Sequence, residues 1–119
     1  MTRTQQIKPS RRGAEYLDLV RPNWFNEIDL DTLRLQNINL CILGQCFDGF
    51  WPALGQLVPA LPGQTSTPYR AITYRAISDE RSMPFAIYFG FALDGFKLGA
   101  YEKLGLEWKR EIVKRRKAA

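Results

Sequence analysis

Residues 101–117 read YEKLGLEWKREIVKRRK, and within them Tyr101, Leu104, Trp108 and Ile112 recur at steps of three, four and four. That spacing lays one apolar stripe along an α-helix and leaves charged residues over most of the remaining surface. The helix is expected from about residue 97 to 117. Along it Glu111 and Arg115 make a favourable i, i+4 pair, whereas Glu107 and Glu111 make an unfavourable one. The closing KRRK run, residues 114–117, sits where cations complement the helix dipole. A stripe on one side of a helix must pack against something, so the rest of the chain has to supply a core.

Upstream, the same periodicity recurs in shorter pieces. Ser10 is a candidate N-cap, and Ala14, Leu17, Leu19 and Val20 follow before Pro22, which predicts a helix over 10–21. Arg21-Pro22-Asn23 reads as a turn. Trp24, Phe25 and Ile28 then look like core anchors on a short helical turn. Asp29 or Asp31 is a cap for the next turn, which carries Leu30, Leu33 and Leu35. From Asn39, the positions Leu40, Leu43, Phe47, Phe50/Trp51, Leu54 and Leu57 again step by three and four. They predict a helix interrupted near Asp48-Gly49 and resumed through Leu57, with Pro52 in or near the first turn of the second part.

Residues 58–68, VPALPGQTSTP, are a Pro/Gly-rich loop. Thr67-Pro68 reads as a cap followed by proline at the first helical position, and YRAITYRAI (69–77) as a helix, with a strand as the alternative. Ser82 is a candidate cap for a short helix through Met83, Phe85, Ala86 and Phe89, and Gly90 falls where a left-handed C-cap is expected. The expected fold is therefore all-α, a compact bundle of five or six short helices with a long C-terminal helix. Residues 1–12 are expected to be a basic, flexible N-terminal arm and 13–117 a single helical domain.

Composition narrows the function. The chain has 119 residues, enough for one domain, with 17 Lys+Arg, 12 Asp+Glu and no histidine. Lacking histidine, it lacks the commonest general base and the usual zinc ligand. Cys41 and Cys46 are too few for a disulfide framework, and a C-x4-C pair without further Cys or His ligands is weak evidence for a metal. Both read as free, buried thiols of a reducing cytosol. Ser66, Ser78 and Ser82 stand in no nucleophile elbow, and there is no phosphate-binding glycine loop. Asp29, Asp31, Asp79 and Glu80 read as helix caps and solvated ends. No enzyme, cofactor or metal is expected. The first twelve residues, MTRTQQIKPSRR, have no apolar core of a signal peptide, and the uncharged stretches 49–69 and 83–93 are too broken or too short to span a membrane. A protein of the cytoplasm is expected.

Charge is unevenly placed: residues 1–12 carry +4, residues 97–119 carry +5 and the body between them −4. Arg11, Arg12, Lys109, Arg110, Lys114, Arg115, Arg116 and Lys117 are therefore the candidate nucleic-acid surface, through phosphate neutralisation. Most of the aromatics read as core. Phe50 with Trp51, or the region of Phe89 and Phe91, is the candidate protein-docking patch, because aromatics dominate interface hot spots.

The order GAEYLDLVRPNW (13–24), IDLDTL (28–33), CILGQCF (41–47), Gly90-Phe91 and the closing Trp108, Glu111, Ile112, Arg115 and Arg116 resembles a known group. These are small proteins without an assigned activity from actinobacteriophages and actinobacterial prophages, with a C-[IV]-L-G-Q motif and a closing W-x-x-E-I-x-x-R-R helix. The resemblance covers roughly residues 13–57 and 86–116. This chain departs in a longer stretch between Leu57 and Met83 and in its more basic charge. The resemblance implies a phage setting and no particular chemistry. Trp24, Leu43 and Trp108 read as core, and Gln45 as a polar residue bonding backbone in the interior. The expected function is that of a non-enzymatic accessory protein binding a host or phage protein in the host cytoplasm, with nucleic-acid binding as the alternative.

Overall fold

The computed structural model describes residues 8–58, 79–95 and 97–119. These residues form α1 (Pro9–Val20), a 3-10 turn η1 (Trp24–Glu27), α2 (Ile42–Cys46), α3 (Phe50–Leu57), α4 (Ser82–Tyr88) and α5 (Ala100–Ala118), with no strand among them. The fold is all-α, and α5, at 19 residues, is the long C-terminal helix. The loop beyond Val58, the segment 69–77 and residues 1–7 lie outside the described residues.

Pro9 opens α1, where its missing N–H is no loss. Ser10, expected as the cap, is instead the helix's second residue, buried, with no hydrogen-bond partner for its Oγ. Arg11 and Arg12 consequently stand on a helix rather than on a flexible arm. Arg21 closes α1 by donating its N–H to Leu17 O, and Asn23 takes a left-handed φ of 66° to start η1.

The helix expected from Asn39 begins later, at Ile42. Asn37 Oδ1 accepts the N–H groups of Asn39 and Leu40 and holds residues 37–40 in a turn. Cys41 is the N-cap, its Sγ accepting from Gly44 N at 3.3 Å. Gly44 lets α2 lie against that turn, since a Cβ there would come within 2.5 Å of Ile38 O. The expected break at Asp48-Gly49 is present, with Gly49 at φ 125° and α3 resuming at Phe50 with Pro52 in its first turn.

Ser82 likewise lies inside its helix, as the first residue of α4 and not as its cap. The helix ends in a Schellman motif: Gly90 has φ 74°, its N–H donates to Ile87 O, and the Phe91 N–H donates to Ala86 O. Gly99, also left-handed, precedes α5, which starts at Ala100 rather than near 97.

The helices close around Trp24, Trp108, Phe91, Leu17, Leu54 and Ile112, all buried. Trp24 meets Trp108 edge-on at 5.7 Å, and Phe91 stacks on Trp108 at 5.5 Å. Gly13 allows α1 to approach this cluster, because a Cβ there would collide with Phe89 O and lie 2.8 Å from the Trp108 ring. α1 and α5 run in the same sense, Lys8 meeting Glu107 and Asp18 meeting Arg115.

Candidate functional site

The eight candidate nucleic-acid residues are not brought together. Arg11 pairs with Glu15 on its own helix. Arg12 donates to Tyr88 O at 2.9 Å and lies 4.2 Å over the Tyr88 ring, which commits it to α4. Arg115 turns inward. It donates to Asp18 Oδ2 at 2.9 Å and to Glu111 Oε1 at 2.7 Å, and its side chain is only 15% exposed. Arg116 reaches back to the carbonyls of Phe25 and Ile28 at the C-terminal end of η1. A guanidinium there satisfies carbonyls that the short helix leaves open. These two arginines hold the bundle together.

What remains on the outer side of α5 is Lys109, Arg110, Lys114 and Lys117. Lys109 is half-buried and the other three are exposed. Lys114 also reaches Glu111, at 3.8 Å. Among these cations stand Leu106 and Val113, 57% and 39% exposed, seven residues apart and therefore two turns along one face. The six residues line an open trough of about 500 Å³. A second trough of about 500 Å³ lies between α5 and residues 33–36 and shares Leu106 and Lys109 with the first. Sequence reasoning named the cations and missed the two aliphatics. Their signal was available, because Leu106 and Val113 repeat at i, i+7 on the side opposite Leu104, Trp108 and Ile112.

The aromatic candidates divide. Phe50 is mostly buried, 8% exposed, and lines the same cleft as its neighbour Trp51. Trp51 is half-buried, edge-on to Phe50, and lines a cleft of about 170 Å³ with Ile38 and Met83. Phe91 is core, while Phe89 is partly buried between Tyr16 and Phe85.

The thiols offer no nucleophile. Burial pushes Cys46 up to about 12, and its Sγ donates to Trp24 O at 3.7 Å. Burial also raises Cys41, against the opposing effect of the backbone N–H groups around it. Among the described residues no group of three or more His, Cys, Asp or Glu is placed to hold a metal, and no helix is long and apolar enough to cross a membrane.

Several residues of the sequence motifs quoted above are fasteners of the fold. Gly13 and Gly90 permit close approach, and Trp108 donates to Gly90 O at 2.8 Å. Asp18 joins Trp24 Nε1 to Arg115. Gln45 clamps the loop before α2, its Oε1 accepting from Asp29 N and its Nε2 donating to Leu40 O and Asp29 O. No family model matches the chain, and neither does a curated protein or a solved structure.

Proposed function

We propose that this chain is a non-enzymatic accessory protein that acts by binding another protein, in the setting its resemblance implies a host or phage protein in the cytoplasm of an infected actinobacterium. One observation carries the reading. The outer face of α5 keeps two aliphatic side chains in solvent, Leu106 and Val113, among the basic residues Lys109, Arg110, Lys114 and Lys117. Exposed aliphatics framed by charge are the composition of a protein-docking patch, an apolar centre with a polar rim. The buried thiols described above leave the cysteines without a nucleophilic role.

Nucleic-acid binding is the second reading, favoured by the same four cations. It is weakened by the engagement of Arg115 with Asp18 and Glu111 and of Arg116 with the carbonyls of Phe25 and Ile28, with which a phosphate would compete. The experiment is a tagged pull-down from infected-host lysate, with and without nuclease, using the natural chain and the Leu106→Glu/Val113→Glu variant. A stoichiometric protein that survives nuclease and is lost with the variant is the expected result. If everything captured disappears after nuclease, the docking reading fails and the basic face is a phosphate-binding one.

A further inference from the structure

Resting on that reading, we propose that the α5 face takes an acidic amphipathic helix of its partner, seated across Gly105 with aliphatic side chains on Leu106 and Val113 and carboxylates on Lys109, Arg110, Lys114 and Lys117. The argument starts from Gly105. A glycine inside a helix is less favourable than an alanine there, because it gives up more backbone freedom on folding. Gly13 and Gly44 occupy helical sites where a Cβ would collide, and Gly49, Gly90, Gly95 and Gly99 take positive φ. Gly105 has neither reason: it lies within α5, and a Cβ on it would meet no atom within 4 Å. The fold gains nothing from its bareness. A segment approaching from outside does, because the missing side chain opens the helix surface in the wall of the second trough, next to Leu106, which both troughs share.

Shape and charge identify that segment. The joined troughs follow α5 from Tyr101 to Lys117, roughly 24 Å at the helical rise, the span of several turns of a partner helix. Anchors at i, i+7 are what a helix laid along another helix reads. Of the carboxylates of α5, Glu107 is engaged by Lys8 and Glu111 by Arg115 at 2.7 Å and more loosely by Lys114 at 3.8 Å, while Glu102 lines the second trough. The trough around Leu106 and Val113 therefore has four cations and no carboxylate in its wall, Glu102 lining only the second trough, and that stretch of α5 attracts negative charge. A second copy of this chain would oppose the same four cations to themselves. A nucleic acid would find aliphatics in the middle of its phosphate track, and Tyr101, the aromatic in the trough, is half-buried with its hydroxyl accepting from Leu93 N.

The test titrates the full chain into a labelled synthetic helix with leucines at i, i+4 and i+7 and glutamates flanking them, read by fluorescence anisotropy. A lysine-for-glutamate version, a scrambled version and a DNA duplex are run beside it. The acidic helix is expected to bind best. Gly105→Leu, which fills the gap, and Lys109→Glu/Lys114→Glu are each expected to weaken it by about tenfold or more, with the thermal midpoint of Gly105→Leu no lower than that of the natural chain. Equal binding by Gly105→Leu overturns the seating. Stronger binding to the duplex, or self-association abolished by Leu106→Glu, overturns the partner class. If the acidic helix does not bind while Leu106→Glu/Val113→Glu still loses a nuclease-resistant partner in the pull-down, this inference falls and the protein-binding reading stands. Failure of both removes the two together.

Discussion

Asp18 carries the contact between α1, η1 and α5, accepting from Trp24 Nε1 at 2.9 Å and from Arg115 at 2.9 Å. Desolvation pushes its carboxyl upward, but the hydrogen bonds from Arg115 and Trp24 and the charge of Arg115 outweigh it and hold it below the ordinary range. Arg21 does the same for Glu27, its hydrogen bond outweighing the opposing desolvation. A folded value below the unfolded one means that the stabilisation is complete above about pH 4 and is lost as pH falls through the folded value. Asp18→Asn keeps an acceptor for Trp24 and removes the titration. Its urea midpoint is expected to be lower than that of the natural chain at pH 7, with the gap closing as the pH is taken below 4; a gap that stays constant across that window contradicts the assignment. Gln45 acts without charge, fastening Asp29 and Leu40 to α2. Gln45→Ala leaves those backbone groups short of partners and is expected to destabilise the fold by about 1–3 kcal/mol in urea unfolding.

At the scale of elements, glycine divides the helices into places where they touch and a place where they do not. Gly13→Ala drives a methyl into Phe89 O and the Trp108 ring, where neither backbone nor a fully packed indole can yield. It is expected to destabilise by about 1–3 kcal/mol or more. Gly105→Ala adds the same methyl in open space on a helix and is expected to stabilise by up to about 1 kcal/mol, raising the thermal midpoint by a few degrees. Scanning calorimetry of the two variants should thus show shifts of opposite sign, and a fall for Gly105→Ala would mean that α5 is packed at that point. The long helix was legible because Tyr101, Leu104, Trp108 and Ile112 repeat over several turns, and the Asp48-Gly49 break because glycine and proline punctuate it. The start of α2 was not, because Leu40 fits the helical period while the Asn37 side chain folds its backbone into a turn. The caps were misplaced for a related reason. Ser10 and Ser82 are residue types that often cap, yet the chain starts both helices before or at them, and only the three-dimensional path decides that.

Across the whole molecule, the basic C-terminus is two populations of charge that sequence cannot separate. Arg115 and Arg116 follow Lys114 without interruption in the KRRK run, yet a helix turns successive residues by about 100°, so neighbours in sequence face different surroundings. Arg115 and Arg116 meet Asp18, Glu111 and the end of η1, while Lys109, Arg110, Lys114 and Lys117 frame the outer trough. Substituting the whole run at once would confuse loss of fold with loss of binding, so the two sets must be changed apart. Arg115→Gln and Arg116→Gln each break hydrogen bonds to charged or helix-terminal acceptors and are expected to destabilise by about 1–3 kcal/mol. Lys109→Gln, Arg110→Gln, Lys114→Gln and Lys117→Gln touch little of the bundle, and each is expected to stay within about 0.5 kcal/mol of the natural chain. Combined, these four lysine and arginine changes should leave the urea midpoint nearly in place while removing the salt-sensitive part of partner binding, which is screened over roughly 8–10 Å at ordinary ionic strength. What remains should be the salt-independent contribution of Leu106 and Val113. If the four-site variant unfolded as readily as Arg115→Gln, the outer cations would be structural and the α5 face would lose its claim as the docking surface.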